Sequence, residues 1–352
     1  MKRLFVVVPS LSSTGPVKGA VALANALART RPVTFVALRD GPGIDAEISR
    51  DIRVLTGPGG FRNGTRFLGK QLEAAGGRDD AAIISFCLSA DMTALAARRG
   101  ARWIASVRGN LPQNYLFDYG RIGPAIAAGH LAALRLADAV VAMTGPMADQ
   151  IARYIGRSPA IVGNFVDEAP LEQARRPRAG GPHPRVVFLG SLSARKQPLA
   201  LLDALGALRV RGVDAVLDIV GDGPLAGAVR ARADALGFAE AVTVHGHLAD
   251  PHSVVAGADA LVLPSLSEGV SRAVLEALHL GVPVVLRDVD GNREIVDPGI
   301  NGALFDDLDH LPDAILNAAR LRRDLRSTES LLPSRFRQAT CTAAYLELAE
   351  AI

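Results

Sequence analysis

Short apolar runs alternate along the chain with longer segments that have the period of an amphipathic helix. The strands that we predict from these runs are residues 4–8, 33–38, 83–86, 103–107, 139–143 and 160–162 in the first half, and 186–189, 216–220, 242–245, 260–263 and 283–286 in the second. Most runs are apolar on both faces, which is typical of a parallel sheet covered by helices. Helical segments such as 19–29 and 198–211 separate them, so the pattern predicts an α/β protein with doubly wound sheets.

The two series of strands are separated by residues 167–184, which read DEAPLEQARRPRAGGPHP. Proline, glycine and arginine dominate this segment and it has no apolar period, so we predict an interdomain linker. We therefore expect two Rossmann-like domains, residues 1–166 and 185–333, whose strand carboxyl ends face each other across a cleft. A last helix, within 334–352, could pack on either domain and could return to the first.

Composition excludes several classes of protein. The chain has 352 residues, of which 49% are hydrophobic and 21% charged, and this balance excludes intrinsic disorder. Apolar runs stay shorter than 18 residues and the first strand is too short for a signal peptide, so we expect neither a transmembrane helix nor a leader. Two cysteines and a net charge of +3 without a dense basic tract favour a cytoplasmic protein that does not bind nucleic acid.

The second half contains two glutamates, Glu268 and Glu276, on either side of a predicted helix start near Val270. Ser267 or Ser271 could cap this helix. The amides at such a terminus carry partial positive charge and suit a phosphate, which would leave one carboxylate for a sugar and the other for a ribose. On the residues alone, the alternative is that Glu276 pairs with an arginine one turn earlier on a solvated surface, and that Glu268 is an ordinary loop acid.

A wider pattern surrounds these glutamates. The run SEGVSRAVLEALHLGVPVV followed by GNREIV resembles the E-x7-E signature of retaining GT-B glycosyltransferases of family four, glycosyltransferase group 1. Three upstream segments, VVFLGSLSARKQPLALLDAL, VLDIVGDGPLAGAVRARADALG and VTVHGHLAD, resemble the preceding blocks of that family, so the resemblance covers nearly all of residues 185–306. It implies the GT-B fold, two Rossmann-like domains facing a central cleft, with a nucleotide sugar bound by the second domain.

The resemblance also implies roles for individual residues. Glu268 would contact the donor sugar and Glu276 the ribose, while Arg195 and Lys196 would stabilise the diphosphate as it leaves. The further donor-side residues that it implies are Gly190, Ser191, Gly221, Gly223, His247, Gly269, Val270, Ser271 and Glu294. This chain departs from the family by having Ser191 where an arginine usually follows the glycine, and Arg195 is the candidate replacement.

For some of these residues an ordinary structural role is the alternative. Arg195 and Lys196 could form a solvated helix entry, and residues 221–224 could be a common turn between a strand and a helix. His247 could be a surface histidine, and Glu294 could brace the loop at Gly291 instead of reaching the sugar.

Asp288 and Asp290 form a D-x-D pair, a spacing that binds Mg²⁺ or Mn²⁺ in a different transferase fold. The resemblance implies that no metal is needed, because a helix terminus and cations take that part. We therefore expect no metal and no cofactor other than the nucleotide sugar itself.

On the acceptor side, a loop after the first strand contains Gly15 and Lys18 and resembles the glycine loop of the family, although an ordinary turn is the alternative. Arg108 and Asn110 follow the strand at 103–107 and are candidates for contacting the acceptor. The sequence has no histidine before His130, so a histidine base at this strand end is not expected. The resemblance implies a front-face displacement in which the leaving phosphate takes the acceptor proton.

Arg62, Arg66 and Lys70 recur at spacing four, with aromatic residues nearby. Basic and aromatic groups on one helix face can dock on anionic lipid headgroups, and a solvated helix face is the alternative. Contact with the inner face of the cytoplasmic membrane is therefore a hypothesis for this helix.

These observations lead to one expected function and two alternatives. We expect a retaining glycosyltransferase that moves a hexose from a UDP- or GDP-linked donor to a glycan or lipid-linked acceptor. Cell-envelope, lipopolysaccharide or exopolysaccharide biosynthesis would be the setting. The alternatives are a nucleotide-sugar 2-epimerase of the same architecture and a non-catalytic, two-lobed protein that binds a nucleotide.

Overall fold

A computed structural model describes residues 2–41, 47–76, 80–178, 181–325 and 329–351. The chain forms two compact units. Unit 1 consists of Met1–Asp167 together with Ser334–Ile352, and unit 2 of Glu168–Pro333.

Unit 1 contains a parallel sheet of seven strands. They are β1 (Arg3–Val8), β2 (Val33–Ala37), β3 (Arg53–Thr56), β4 (Ala81–Phe86), β5 (Arg102–Ser106), β6 (Ala139–Ala142) and β7 (Ala160–Ile161). Their order is β3-β2-β1-β4-β5-β6-β7, so the direction of chain progress reverses between β1 and β4. Right-handed crossovers then place the connecting helices on opposite faces of the sheet.

The helices of this unit before residue 168 are α1 (Gly15–Ala28), α2 (Phe61–Ala74), α3 (Leu88–Ala97), α4 (Leu111–Tyr119), α5 (Gly123–Leu134) and α6 (Gly145–Ile155). On one face, α2 packs on α3, α3 on α5, and α5 on α4 and α6. Strands β1, β2, β4, β5 and β6 are almost wholly buried between the helix layers, which is why they are apolar on both faces.

Unit 2 contains a second parallel sheet, of six strands. They are β8 (Arg185–Leu189), β9 (Val216–Val220), β10 (Val242–Gly246), β11 (Ala260–Leu263), β12 (Val284–Arg287) and β13 (Gly302–Phe305), in the order β10-β9-β8-β11-β12-β13. Its helices are α7 (Glu168–Ala174), α8 (Pro198–Val210), α9 (Ala226–Ala235), α10 (His252–Ala256), α11 (Arg272–His279) and α12 (Leu311–Asp324). The reversal of strand order here falls between β8 and β11.

The final helix, α13 (Gln338–Glu350), belongs to unit 1 and packs on α1. Its Tyr345 is fully buried, and the phenol oxygen lies 2.7 Å from Ser106 Oγ at the end of β5. The chain therefore leaves unit 1 after Asp167 and returns to it for its last segment.

The doubly wound α/β class predicted from the sequence is confirmed, and each of the eleven predicted strands overlaps a strand of the structure. Two strands were missed. β3 is largely exposed and lies at a sheet edge, so it lacks the apolar run of a buried strand, and β13 is a four-residue edge strand that begins with glycine. Helix α7 lies within the segment predicted as a linker. Its Leu171 is buried, so this helix packs through one apolar side chain and has no apolar periodicity that the sequence could show.

Within the described part of the chain, every helix is too short or too polar to cross a bilayer.

Candidate functional site

The candidate site in unit 2 lies where the strand order reverses. β8 and β11 are parallel neighbours, with Leu261 opposite Val187, but the chain leaves β8 toward β9 and leaves β11 toward β12. The chain therefore leaves these two neighbouring strands in opposite directions along the carboxyl edge of the sheet. Such a switch point is the usual ligand site of an open α/β sheet.

Lys196 and Glu268 come together at this point although 72 residues separate them. Lys196 ends a one-turn 3-10 helix, Ala194–Lys196, in the loop after β8, and Glu268 lies in the loop after β11. The ammonium group forms an ion pair and a hydrogen bond with Glu268 Oε1. Lys196 is 9% exposed and Glu268 7%, so this pair is largely removed from water while remaining at the rim of the sheet.

Arg195 reinforces the same loop. Its Nη1 lies 3.6 Å from Glu268 Oε1 and donates a hydrogen bond of 2.6 Å to the carbonyl oxygen of Ser267. Its own carbonyl oxygen accepts from the amide of Leu266 at 2.9 Å. The three residues that the family resemblance assigned to catalysis, Arg195, Lys196 and Glu268, are thus brought together, and two cations face one carboxylate.

The glycine turns after β8 and β9 pack directly against each other. A β-carbon on Gly221, whose φ is +138°, would lie 1.9 Å from the carbonyl oxygen of Gly190. The amide of Leu192 donates to the carbonyl of Asp222 at 2.9 Å, which joins the two turns. The predicted donor residues Gly190, Gly221 and Gly223 therefore lie beside the loop that carries Arg195 and Lys196, while Ser191 is exposed on it.

Helix α11 begins at Arg272, two residues later than predicted. Ser271 is its N-cap residue, but its side chain makes no capping hydrogen bond, and the hydroxyl of Ser267 donates to Asp290 instead of capping. Ser271 therefore occupies the predicted N-cap position without a side-chain cap, and the prediction for Ser267 is wrong because its hydroxyl has a partner from another loop. Gly269 and Val270 form the bend that leads into the helix.

Glu276 lies on α11 and is nearly buried. Its carboxylate is 3.4 Å from Nη2 of Arg272, one turn earlier, and 3.9 Å from Nε2 of His252 at the start of α10. The pairing with Arg272 that we considered as the structural alternative does form, but in a half-enclosed position with both side chains less than one fifth exposed. Nδ1 of His252 also lies 3.0 Å from Oδ1 of Asp250. The sequence did not identify His252 as a neighbour of Glu276.

The two other predicted donor-side residues are His247 and Glu294. His247 is exposed after β10. Glu294 ends the one-turn 3-10 helix Asn292–Glu294 and is half-buried, and Asn292 fixes this segment by donating to the carbonyl of Arg287 at 2.9 Å.

The D-x-D carboxylates point to separate partners. Asp288 pairs with Arg293, and Asp290 accepts hydrogen bonds from the Ser267 hydroxyl at 2.9 Å and from the Glu268 amide at 2.8 Å. Among the described residues, no group of three or more histidine, cysteine or acidic side chains converges as metal ligands would.

The acceptor-side candidates lie at the carboxyl edge of the sheet in unit 1. Gly15 begins α1, and Lys18 in its first turn forms an ion pair of 3.6 Å with Glu47. Arg108 donates to Asn164 and lies against α1 at Gly19, where a β-carbon would be 2.6 Å from its Nη2.

Asn110 is the N-cap residue of α4, where its side chain accepts from the amide of Gln113 at 3.2 Å and from Gln150 Nε2 at 3.0 Å. Because these contacts cap α4 and link it to α6, Asn110 has a structural role that the sequence did not indicate.

The first histidine of the chain, His130, is buried inside unit 1. Its Nε2 lies 2.8 Å from Asp91 and its Nδ1 2.8 Å from the hydroxyl of Tyr115, and Ser85 and Trp103 extend the same hydrogen-bonded chain. Burial raises the pKa of the Tyr115 phenol, with the Asp91 carboxylate adding to the shift. This network joins α3, α4 and α5, so His130 has a structural setting.

The chain is similar to known proteins in sequence and in fold. Residues 183–320 match the family described as glycosyl transferases group 1. A GDP-mannose-dependent alpha-(1-6)-phosphatidylinositol dimannoside mannosyltransferase of Mycobacterium tuberculosis is 36% identical over 138 residues, which cover 38% of this chain and 34% of that protein. D-inositol 3-phosphate glycosyltransferase 1 of Catenulispora acidiphila is 32% identical over 248 residues, 62% of this chain and 58% of that protein.

The matched part of the chain thus spans about a third to somewhat more than half of these curated relatives. In three dimensions, the crystal structure of Anabaena HepE in complex with UDP-glucose is similar over the whole length of both chains, with a TM-score of 0.78 at 16% identity. This likeness shows the fold, which is the GT-B fold expected from the sequence.

Proposed function

We propose that this protein transfers a sugar from a nucleotide diphosphate donor to an acceptor. Its residues 183–320 match the glycosyl transferases group 1 family. The observation that carries the proposal is the convergence of Lys196 and Arg195 on Glu268 at the switch point of the second sheet. A nucleoside diphosphate gains negative charge as the glycosidic bond breaks. Fixed cations in a partly dry site stabilise that charge in the transition state without first having to reorganise.

In this mechanism each residue of unit 2 has a separate task. Lys196 and Arg195 stabilise the leaving diphosphate, together with the amides of residues 269–271 ahead of α11. Glu268 contacts the donor sugar, and its charge is balanced by the two cations until the diphosphate shares them. Glu276 accepts hydrogen bonds from the ribose hydroxyls.

The finer proposal is that transfer retains the configuration of the sugar and proceeds without a metal. The leaving phosphate takes the proton of the attacking acceptor hydroxyl on the same face of the sugar, so no protein base is required. The cations and helix terminus supply the positive charge that a divalent ion provides elsewhere. Support comes from the engagement of Asp288 and Asp290 by protein partners.

The substrates that we propose are a UDP- or GDP-linked hexose and a glycan or lipid-linked acceptor of the cell envelope. The matched mannosyltransferase is named as GDP-mannose-dependent and acts on a phosphatidylinositol dimannoside, whereas HepE is seen with UDP-glucose. These relatives favour transfer over the 2-epimerase alternative.

The test is release of nucleotide diphosphate by purified protein from a panel of UDP- and GDP-sugars, with and without a lipid extract as acceptor. We expect release with one donor class, strongly reduced in Glu268→Gln. The matched control is Asp313→Asn, which removes a carboxylate from an exposed ion pair with Arg211 in the same unit. Conversion of a UDP-N-acetylhexosamine without acceptor would instead favour the epimerase, and no release of nucleotide diphosphate from any donor would favour the non-catalytic alternative.

We further propose that unit 1 contacts the inner face of the cytoplasmic membrane through α2. Arg62, Arg66 and Lys70 are all exposed on this helix, and Phe61 at its start is 55% exposed. The side of the sheet that carries α2, α3, α5 and α4 also exposes large apolar groups on α4, among them Leu116 and Phe117. Exposed aromatic groups beside unburied cations suit a surface of anionic lipid.

Sedimentation with vesicles tests this contact. Neutralising Arg62, Arg66 and Lys70 together to glutamine is expected to abolish binding to phosphatidylglycerol vesicles in low salt. Phosphatidylcholine vesicles should not bind either form.

Neutralising three exposed arginines elsewhere, Arg153, Arg230 and Arg320, serves as the control for total charge. An equal loss of vesicle binding in that control would show that net charge, and not α2, is responsible.

A further inference from the structure

Asp290 has a left-handed backbone conformation. Its φ is +51°, which places it among four non-glycine residues of the described chain with positive φ. The left-handed region crowds the β-carbon of an L-residue, and non-glycine residues kept there concentrate at sites where the surroundings require them. A second member of this group, Gln197, directly follows Lys196, so two of the four adjoin the candidate site.

The carboxylate of Asp290 has a specific use. Its Oδ2 accepts a hydrogen bond of 2.9 Å from the hydroxyl of Ser267 and one of 2.8 Å from the backbone amide of Glu268. Hydrogen bonds to an ionised carboxylate are shorter and stronger than neutral ones. The backbone of Glu268, whose carboxylate would contact the donor sugar, is therefore anchored by a side chain from the loop after β12.

The opposite side of the same loop is anchored by Arg195. Its guanidinium donates to the carbonyl of Ser267, and its carbonyl accepts from the amide of Leu266. Residues 266–268 are thus held from both sides by groups that are distant in sequence. With neither a helix nor a strand over these residues, the two clamps replace regular backbone hydrogen bonding.

We infer that Asp290 is a positioning residue for the transfer reaction, acting through Glu268. This inference rests on the proposed function. Asp290 holds the Glu268 backbone so that the carboxylate lies against Lys196 and Arg195 before the donor binds. A displacement of about 1 Å in such a group can lower a rate about 100-fold.

Three variants separate the hydrogen bonds of Asp290 from its backbone conformation. Asp290→Gly removes the carboxylate and relieves the left-handed strain, so folding is retained while the anchor is lost. Asp290→Asn keeps an acceptor oxygen and should rescue most of the activity. Asp290→Ala loses the anchor and keeps the strain. We expect kcat to fall roughly 10- to 100-fold in the glycine variant with a smaller change in donor KM.

A double-mutant cycle shows whether Asp290 acts through Glu268. In a Glu268→Gln background, Asp290→Gly should change kcat by no more than about twofold, because residues that share one function are not additive. The same fold-loss of kcat in both backgrounds would overturn the inference, and so would a glycine variant as active as the parent.

Crystal structures of the parent and of Asp290→Gly decide the matter independently of turnover. Displacement of the Glu268 carboxylate from Lys196 in the variant supports the inference, and an unmoved loop overturns it. If the parent releases no nucleotide diphosphate from any donor, the proposed function fails. The structural comparison still tests whether Asp290 holds the Glu268 carboxylate against Lys196.

Discussion

Replacing Lys196 by methionine removes one charge from the centre of the candidate site and keeps most of the side-chain volume. The ammonium is the hydrogen-bonded partner of Glu268, and both residues are less than one tenth exposed. Removing one partner of a buried ion pair typically costs about 3–5 kcal/mol. Here Arg195 stays 3.6 Å from the same carboxylate, so we expect a smaller loss, about 2 kcal/mol.

The expected stability loss corresponds to a fall in melting temperature of about 4–8 °C for a unit of this size. Calorimetry or thermal unfolding followed by circular dichroism measures it. In the double variant Lys196→Met with Glu268→Gln, the buried charge is gone with its partner. Its melting temperature should therefore recover most of the loss.

Activity should behave differently from stability. Because the proposed contact of Lys196 with the leaving diphosphate acts mainly in the transition state, kcat should fall about 100- to 1000-fold in Lys196→Met. The double variant should not recover it. The assay is release of nucleotide diphosphate under saturating donor, with Arg211→Met as the control for loss of an exposed cation of unit 2.

Two results would refute this reasoning. A Lys196→Met protein that keeps kcat within about threefold while losing stability would assign Lys196 to structure alone. A double variant that recovers both stability and kcat would show that the ion pair, and not the cation on the diphosphate, limits the reaction.

Three further predictions concern other parts of the chain. Glu276→Ala should raise the donor KM about tenfold with a smaller effect on kcat, since its proposed contact with the ribose is made equally before and during reaction. A fall in kcat alone, measured by steady-state kinetics, would contradict this role. Gly221→Ala should destabilise unit 2 by more than about 3 kcal/mol in thermal unfolding, because its β-carbon would meet the Gly190 carbonyl at 1.9 Å, whereas Gly227→Ala, with open space in α9, should be neutral or stabilising. Burial raises the pKa of the Cys87 thiol to about 12, so the folded thiol binds its proton more tightly than the unfolded one, and stability should decline as pH rises from about 9 to about 12. At pH 9, iodoacetamide should alkylate Cys87 at least 100-fold more slowly in the folded protein than in the unfolded protein. Peptide mass spectrometry measures both rates, and equal rates would contradict the raised pKa.

Much of the fold follows from local pattern. Runs such as residues 4–8 and 260–263 are apolar on both faces because helices cover their sheets, and that burial is visible without a structure. Edge strands carry a weaker signal. β3 has mostly exposed residues, so its place in the sheet depends on pairing with β2 and not on its own composition.

The candidate site was only partly predictable. Arg195, Lys196 and Glu268 could be selected from the sequence because they lie in segments that resemble known blocks. The pairing of Asp290 with the loop at Glu268 could not, since D-x-D spacing is equally compatible with a metal pair and with two unrelated carboxylates.

By itself, then, the sequence determined the α/β class, most strands and the glutamates and cations of the second unit. The class and the strands follow from burial periodicity, and the candidate glutamates and cations follow from their place in segments that resemble known blocks. The tertiary structure alone decided which loops meet at the reversal of strand order. It also decided that α7 forms where no apolar period exists, and that His252 and Asp290 stand beside the two glutamates. Contacts of that kind depend on the path of irregular backbone between distant residues, and no local pattern encodes that path.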